Sequence, residues 1–292
     1  MGTLDGRVAI ITGAGRGIGR EHALLFAAEG ARIVVNDLGG ANDGTGVDVT
    51  PAQEVAAEIR AMGAEAVVNG DNVADWEGAQ RLINSAVEAF GDLDILINNA
   101  GILRDRVLVN MTEEEWDAVV AVHLKGHFAP TRWAAAYWRE QTKLGITKPR
   151  NLVHTSSTSG LFSNPGQANY GAAKSGIATF SQIAAKELVR YNVKSNCIAP
   201  GARTRLTLAV AGLSDVMAPK DGAFDVWDPA NISPLVAYLA TADCAFNGET
   251  FFVQGGQVTK VDTWAMGSTV TIQDRWTVAG LADALPAMIQ PS

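Results

Sequence analysis

Short apolar runs alternate with amphipathic stretches along most of the chain. Arg7–Ile11 is a β-branched apolar run, a glycine-rich turn and the amphipathic stretch Arg20–Glu29 follow it, and Ala31–Asp37 is the next apolar run. Apolar runs of this length are typical of buried strands, whereas apolar residues three and four apart are typical of helices. The order strand, turn, helix, strand predicts a βαβ unit with parallel strands and a right-handed crossover.

The same alternation continues to about residue 256. The further predicted strands are Ala64–Asn69, Asp94–Ile97, Asn151–Thr155, Lys194–Ala199 and Glu249–Val253. The further predicted helices are Pro51–Met62, Asp75–Phe90, a long helix opened by a capping box at Thr112–Glu115, a helix after Asn169, and Asp228–Ala240. Regular alternation of this kind predicts one doubly wound α/β domain, with a parallel seven-stranded sheet and helices on both faces.

Two segments stand apart from this alternation. Ala202–Asp225, which contains Met217 and Phe224, is irregular and is predicted to be a mobile substrate lid. Residues 1–259 are predicted to form the main domain, and residues 260–292 a C-terminal extension that packs on this domain or on a partner subunit. The apolar anchors expected in the extension are Trp264, Trp276 and Leu281.

Composition removes several classes of protein. The net charge of −8 argues against nucleic-acid binding, which needs a basic surface. Two cysteines, Cys197 and Cys244, are too few for a disulfide framework, so a reducing, cytoplasmic location is expected. There is no apolar stretch of about 20 residues that could span a membrane, and the N-terminus does not resemble a secretory signal.

The first glycine turn, TGAGRGIG at residues 12–19, has the features of a phosphate-binding turn. Gly13 permits a tight turn, and Gly17 and Gly19 allow backbone to approach a pyrophosphate at the start of the next helix. Asp37 ends the following strand, close to the spacing of about 20 residues at which a carboxylate meets the adenosine ribose. Its charge would repel a 2′-phosphate, so NAD is predicted over NADP, although Arg16 could pair with such a phosphate.

Polar residues also follow the next two strands. Asp71 and Asn72 come after one strand and Asn98-Asn99-Ala100-Gly101 after the next, at the sheet edge where open α/β sheets bind ligands. The long helix carries His123 and His127 four positions apart. No Glu follows His123 and no third ligand is apparent, so no metal site is predicted.

The stretch Thr155–Lys174 carries the candidate chemistry. Ser156 and Ser157 end a strand, and Tyr170 and Lys174 lie four positions apart on a predicted helix, and therefore on one face. An ammonium beside a phenol favours the phenolate, so Lys174 is expected to lower the pKa of Tyr170 from its usual value near 10. Tyr170 is therefore a candidate general acid/base, with a serine hydroxyl beside it.

Together these motifs resemble the short-chain dehydrogenase/reductase family over residues 5–256, which implies a Rossmann fold. The resemblance implies Ser157, rather than Ser156, as the family's serine, Tyr170 as acid/base, and Lys174 as the residue that holds the nicotinamide ribose. The cofactor-binding residues it implies, with those predicted above, are Gly13, Arg16, Gly17, Ile18, Gly19, Asp37, Asp71, Asn72, Asn99, Gly101, Tyr170, Lys174, Pro200 and Gly201.

VVNDLGG, VHLKGHF and SNPGQANYGAAK are more closely similar to the (3R)-hydroxyacyl-CoA dehydrogenase part of peroxisomal multifunctional enzymes and their stand-alone bacterial relatives. Two positions depart from the wider family. His123 stands where many members have Asn, as in the multifunctional enzymes, and the proton relay is expected to run through water and backbone. Arg205 replaces a Thr, and Thr204 or Thr207 is the expected substitute contact to the nicotinamide amide.

The resemblance implies an NAD-dependent oxidoreductase that interconverts a secondary alcohol and a ketone, with a 3-hydroxyacyl-CoA as the expected substrate. A hydroxysteroid dehydrogenase, a non-catalytic NAD-binding sensor and a sugar epimerase are the alternatives. The intact Ser157, Tyr170 and Lys174 argue against the sensor, and the chain length and glycine spacing against the epimerase. A homo-oligomer, tetramer or dimer, is expected, with the helices of His123 and Tyr170 at an interface.

Overall fold

The sheet is the centre of the fold. The structure, a computed structural model, describes residues 2–208, 213–219, 222–262, 264–273 and 275–288. Within these residues one sheet has the order β3-β2-β1-β4-β5-β6-β7-β8. Its strands are β1 (Val8–Thr12), β2 (Arg32–Asn36), β3 (Ala66–Asn69), β4 (Ile95–Asn98), β5 (Arg150–Thr155), β6 (Val193–Pro200), β7 (Thr250–Gln254) and β8 (Gln257–Val261). The predicted doubly wound α/β fold is confirmed, and β1 to β7 pair in parallel.

The strand count was predicted one too low. β8 pairs antiparallel with β7 through a turn at Gly255-Gly256, beyond the last predicted strand, Glu249–Val253. Gly255 has a φ of 51°, and a two-residue glycine turn is a common hairpin connection. The pattern of apolar residues does not indicate β8, because the side chains of an exposed edge strand need not be apolar.

Helices cover both faces of the sheet, α1, α2 and α10 on one face and α3 and α5 on the other. In chain order, the α-helices of the described residues are α1 (Gly17–Ala28), α2 (Thr50–Ala61), α3 (Trp76–Phe90), α4 (Glu113–Val120), α5 (Gly126–Lys143), α6 (Thr158–Phe162), α7 (Ala168–Leu188), α8 (Arg205–Leu208), α9 (Leu213–Val216), α10 (Ser233–Leu239) and α11 (Val278–Ala284). Short 3₁₀ turns lie at Leu108–Asn110, Val189–Tyr191, Pro229–Ile232 and Leu285–Met288.

Alternate residues of the strands feed two apolar layers. Ala9 and Ile11 of β1 point into the layer that contains residues of α1, α2 and α10, whereas Val8 and Ile10 point into the layer with residues of α3 and α5. All four side chains are fully buried. Burial of each large aliphatic side chain contributes roughly 1.5–3 kcal/mol to folding, so the two layers fix the strand ends that carry the site.

The long helix predicted after Thr112 is interrupted. Its predicted capping box is confirmed, because the Glu115 amide donates to the Thr112 hydroxyl over 3.2 Å and the Thr112 amide donates to the Glu115 carboxylate over 3.0 Å. One π turn, Ala121–Lys125, then separates α4 from α5 and carries His123. Apolar spacing does not reveal this turn, because the helical pattern continues through it. Single π turns occur often at functional sites.

The residues from Asp262 onward form a separate compact unit, two positions after the predicted boundary, because β8 extends to Val261. Within this unit the Thr277 hydroxyl accepts from the Gly280 amide and caps α11. Of the predicted lid, residues 209–212 and 220–221 lie outside the described residues. In its described part Met217 is buried and Phe224 is exposed. No described helix is long and apolar enough to cross a membrane.

Candidate active site

The glycine turn after β1 is closely packed against the end of β4. Gly13 and Gly17 have φ values of 64° and 55°, which favour glycine. A Cβ on Gly19 would lie 2.1 Å from the Gly13 carbonyl oxygen and 2.6 Å from the Asn99 amide nitrogen. Asn99 donates to the Thr12 carbonyl over 3.0 Å, which joins the turn to β4. The turn therefore leaves backbone N–H groups at the start of α1 free of side-chain bulk, as pyrophosphate binding requires.

Asp37 connects this turn to the loop after β2. One carboxylate oxygen accepts from the Gly15 amide over 2.8 Å and the other from the Gly39 amide over 2.7 Å. Each carboxylate oxygen can accept more than one hydrogen bond, so both keep capacity for a ribose hydroxyl. Arg16 and Asp37 both lie close enough to Arg205 for their charges to change its pKa. Burial and the Arg16 charge lower the pKa of Arg205, whereas the Asp37 charge raises it.

The residues after β3 are more constrained than the sequence predicts. The Asp71 carboxylate accepts from Arg81 Nε over 2.8 Å and from the Asn69 amide over 2.9 Å. The Asn72 side chain accepts from the Ala74 amide over 2.9 Å. Both of these predicted cofactor-binding residues thus have internal partners, which fix the shape of this part of the chain.

Ser156 and Ser157 have different environments at the end of β5. The Ser156 hydroxyl is buried and donates to the Lys174 carbonyl over 2.7 Å, so it joins the strand to α7. Ser157 begins α6 as its cap, and its hydroxyl accepts from the Ser159 amide over 3.2 Å. The Ser157 side chain also lies near enough to the Tyr170 phenol to lower its pKa. Ser157 is therefore the serine that faces the candidate acid/base.

In the protein alone, the Tyr170 phenol keeps its proton. Burial raises its pKa to about 12, the Ser157 hydrogen bond acts in the opposite direction, and the Asp105 charge raises it further. The expectation that Lys174 lowers this pKa is therefore wrong for the chain alone. The reason is that sequence spacing reports the nearby ammonium but not the loss of water around the phenolate, which is the larger effect.

Lys174 lies beneath the Tyr170 ring. Its Nζ is 5.5 Å from the ring centroid and donates to the Thr155 carbonyl over 2.6 Å. Burial lowers the pKa of Lys174 to about 7, although the nearby Cys197 raises it. The ammonium is thus only partly populated at neutral pH, which weakens its effect on the phenol.

His123 occupies the π turn and reaches both the β4 loop and Tyr170. Its Nε2 lies 3.1 Å from the Ile102 amide nitrogen and 2.8 Å from the Ile102 carbonyl oxygen. A Cβ on Gly101 would lie 2.4 Å from His123 Cε1, so this glycine makes room for the imidazole. Burial, and secondly the Lys174 charge, lower the pKa of His123 well below its usual value. The imidazole is therefore neutral.

Of the predicted residues in this region, Pro200 is the last residue of β6 and Gly201 follows it. Pro200 pairs with β7, and the Gly201 amide donates to the Val253 carbonyl over 2.8 Å. Thr207 donates to the Ala202 carbonyl over 3.0 Å, and the Thr204 amide donates to the Thr207 hydroxyl over 2.7 Å. Both threonines thus have partners within this loop, and either stays a predicted contact of the nicotinamide amide.

Ile18 completes the predicted set. It follows Gly17 in the first turn of α1 and packs on the apolar layer of that helix. Together with Gly13, Gly17 and Gly19 it forms a cradle in which a side chain at Gly13 or Gly19 would collide with backbone, and the positive φ of Gly17 favours glycine. These residues fit a dinucleotide.

Two polar residues that sequence reasoning missed, Asn169 and Gln167, fix the start of α7. Asn169 is fully buried, and its side chain donates to the carbonyls of Arg104 and Glu115, over 3.0 Å each, and accepts from the Tyr170 amide over 2.7 Å. Gln167 donates to the Asp105 carboxylate over 2.8 Å. The only signal in the sequence is their position directly before Tyr170, since nothing marks the distant segment they contact.

The chain belongs to the short-chain dehydrogenase family, because the sequence model of that family matches residues 7–210. A hydroxyacyl-CoA dehydrogenase of Mycobacterium tuberculosis is 47% identical over 262 residues, which cover 88% of this chain and 80% of the relative. Peroxisomal multifunctional enzyme type 2 of Drosophila melanogaster is 45% identical over 257 residues, 88% of this chain but only 40% of that longer protein. The resemblance inferred from the motifs is confirmed.

Solved structures agree with this assignment. A short chain dehydrogenase from Mycobacterium avium superimposes with a TM-score of 0.87 at 49% identity and covers 98% of this chain and 96% of its own. A short chain dehydrogenase from Burkholderia cenocepacia, in complex with NADP, has a TM-score of 0.74 at 27% identity and covers 87% of this chain and 98% of its own. The protein is therefore an oxidoreductase of a family that uses a nicotinamide dinucleotide.

Proposed function

We propose that the chain is an NAD-dependent dehydrogenase that interconverts the secondary alcohol and the ketone of a 3-hydroxyacyl-CoA. The observation that carries this proposal is the convergence of three side chains: the Ser157 side chain is near enough to the Tyr170 phenol to lower its pKa, and Lys174 Nζ lies 5.5 Å from the centre of the same ring. A protein that only binds a dinucleotide has no need of a buried phenol with these two neighbours. The relatives named as acyl-CoA and peroxisomal enzymes support the substrate class.

Each residue has a distinct task in this reaction. When bound, the oxidised nicotinamide supplies the hydride acceptor and a positive charge that lowers the Tyr170 pKa. Tyr170 then takes the proton of the substrate hydroxyl, and in the reverse direction it returns that proton to the ketone oxygen. Ser157 donates a hydrogen bond to the same oxygen, where negative charge develops. Lys174 holds the ribose, and its protonated fraction adds positive charge beneath the Tyr170 ring.

The substrate side of the cleft is apolar. Val107, Leu108 and Val109 are exposed and follow directly after Arg106, which bridges to Gln167 at the start of α7. Phe162, also exposed, ends α6 on the Ser157 side. An acyl chain that enters beside Ser157 and Tyr170 would cover these side chains, which supports a lipid-like substrate. A hydroxysteroid would cover the same surface and is the competing substrate.

NAD is the proposed cofactor because Asp37 is anchored by two backbone amides where the ribose should lie. An immobile carboxylate there disfavours a 2′-phosphate.

We also expect a homo-oligomer. The helices α5 and α7 enclose a groove of about 290 Å³, and Phe128 and Ile183 on its rim are exposed apolar residues. Light scattering that shows a monomer would contradict this expectation. A cytoplasmic location remains a prediction from composition.

The test of the proposal is NADH absorbance with purified protein and either NAD or NADP. The panel contains (3R)- and (3S)-hydroxyacyl-CoAs of several chain lengths and a set of hydroxysteroids. We expect NAD-dependent turnover of a 3-hydroxyacyl-CoA, loss of about 100-fold or more in kcat with Tyr170→Phe, and little change with Tyr238→Phe, a tyrosine on α10. Turnover of hydroxysteroids alone would identify a hydroxysteroid, and not a 3-hydroxyacyl-CoA, as the substrate. Full activity of Tyr170→Phe would refute the mechanism.

A further inference from the structure

Asp105 lies outside the predicted catalytic set, and its negative charge raises the pKa of Tyr170. It lies in the loop after β4, and one carboxylate oxygen accepts from Gln167 Nε2 over 2.8 Å. Gln167 is buried and caps α7, and its carbonyl accepts from the Gly171 amide over 2.7 Å. The Gln167 side-chain oxygen accepts in turn from Asn164 over 2.9 Å. The amide that holds Asp105 is therefore fixed at both of its polar atoms.

Two further contacts align this loop with the start of α7. The Arg106 amide donates to the Gly166 carbonyl over 2.8 Å, and Asn169 donates to the Arg104 carbonyl over 3.0 Å. The segment around Asp105 thus runs beside the residues that directly precede Tyr170. These contacts and the Gln167 hydrogen bond hold the Asp105 carboxylate in place relative to the start of α7.

The other groups around Tyr170 do not cancel this charge. His123 is neutral, and Lys174 has its pKa lowered to about 7 by burial. Cys197, which faces Lys174 from β6, is a neutral thiol because burial raises its pKa to about 12.

The cations nearest in sequence to Asp105 have other partners. The Arg106 guanidinium pairs with Glu115 over 2.9 Å. Arg104 donates to the carbonyls of Asp43 and Glu114 over 2.8 and 3.3 Å. Asp105 itself makes its side-chain hydrogen bond with an uncharged amide. Its charge is therefore available to act on Tyr170.

We propose that Asp105, held by Gln167, is a positioning residue of the proposed reaction, whose negative charge keeps the proton on Tyr170 until substrate and cofactor are bound. A carboxylate beside a phenol disfavours the phenolate, so it opposes the positive charges that activate the tyrosine for oxidation. It also retains the acid form that donates a proton to a ketone. Asp105 therefore sets the pH range in which the enzyme oxidises and the range in which it reduces.

The test is Asp105→Asn, which removes the charge but keeps an oxygen that can accept from Gln167. We expect the pH at which kcat/KM for alcohol oxidation reaches half its maximum to fall, on the order of half a unit to one unit. Reduction at alkaline pH should weaken over the same range. The shift should become smaller in high salt, because exposed charges are screened.

Two further variants separate charge from structure. Asp117→Asn removes an exposed carboxylate from α4 and should leave the pH profile unchanged. Gln167→Leu releases the Asp105 carboxylate and should shift the profile in the same direction by a smaller amount. An Asp105→Asn enzyme whose kcat falls equally at every pH, with no shift, would show a merely structural role and overturn the proposal.

This inference rests on the proposed function, and a second readout keeps the two apart. Phenolate absorbance after a rapid pH jump, with Tyr170→Phe as the reference, reports the titration of Tyr170 without any substrate. Asp105→Asn should titrate at lower pH than the wild type. If the wild type turns over no substrate but this difference is present, only the proposed function fails. If turnover is present and neither readout shifts, only the role of Asp105 fails.

Discussion

The imidazole of His123 meets the phenol ring of Tyr170 edge-on, with ring centroids 5.0 Å apart and planes at 89°. The imidazole cannot easily move, because Gly101 leaves it only the space it fills and Ile102 contacts its Nε2. A neutral ring in this position supports the phenol by packing. His123 therefore supports the Tyr170 ring by packing, at a position where many members of the family have Asn.

The first prediction concerns this packing contact. His123→Ala should lower kcat by roughly 10- to 100-fold, because a loss of support that displaces the phenol by about 1 Å can cost that much. The pH dependence and the dissociation constant for NAD should stay close to those of the wild type, since a neutral ring contributes no charge. Steady-state kinetics across pH and calorimetric titration with NAD measure both.

His127→Phe is the matched control for His123→Ala. His127 lies one helical turn away, stacks on His154 at 5.8 Å and makes no ring contact with Tyr170 among those in the described part of the chain. Its replacement by another aromatic ring should leave kcat nearly unchanged. A large pH shift in His123→Ala would instead assign His123 to the proton path.

The second prediction tests the glycine cradle. In Gly19→Ala the new Cβ would meet the Gly13 carbonyl oxygen at 2.1 Å, so the turn must move. We expect the affinity for NAD to fall by at least about tenfold, a loss of about 1.4 kcal/mol of binding free energy. Gly256→Ala is the control, because a Cβ there has no described atom within 4 Å. Equal NAD affinity in both variants would contradict the assignment of the cradle.

The third prediction concerns the choice of cofactor. Asp37→Asn keeps the side-chain shape but removes the charge that repels a 2′-phosphate, and Arg16 and Arg205 remain nearby. The ratio of kcat/KM for NADP to that for NAD should rise by about tenfold or more, as expected for removal of a like-charge contact of a few kcal/mol. Adding Arg16→Gln should reverse part of the gain. A wild-type enzyme that already prefers NADP would contradict the premise.

The order of strands and helices could be predicted because a buried parallel sheet requires continuous apolar runs. Val8–Thr12 and Arg32–Asn36 are such runs, and both are predicted within one or two residues. β8 does not obey that requirement because it lies at the exposed edge. The π turn at Ala121–Lys125 was missed for a different reason: the extra residue changes the hydrogen bonds of the helix without changing its apolar pattern.

In the site, too, some residues could be predicted from the sequence and others could not. Gly13, Asp37 and Tyr170 were predicted because their chemistry depends on residue type at a fixed spacing. Asp105 and Asn169 were missed because their contacts join segments that are distant in sequence, Asn169 reaching Arg104 and Glu115. The sign of the Tyr170 pKa shift was also missed, because burial depends on the whole fold and spacing along one helix does not report it.

The last prediction concerns stability at acid pH. All four histidines are buried, and burial lowers the pKa of His22 and of His154 to about 3 each. In the unfolded chain both have a pKa near 6.5. Between these values the unfolded state binds a proton that the folded state does not. Stability is therefore complete above about pH 6.5 and decreases as the pH falls, by about 1.4 kcal/mol per pH unit for each histidine.

Urea unfolding between about pH 7 and pH 5 measures this decrease. Carboxylates contribute little in this range: Asp92, for example, has a pKa of about 2 because hydrogen bonds from Lys148 and Arg150 outweigh its burial, so its stabilisation is lost only below its unfolded value near 4. His22→Gln removes one titrating group and keeps a partner for the Ser233 hydroxyl, which lies 2.8 Å from His22 Nδ1. As the pH falls, the free energy of unfolding of this variant should decrease less steeply than that of the wild type, by about 1.4 kcal/mol per pH unit. A wild-type midpoint that does not change over this range would show that the histidines bind protons in the folded state.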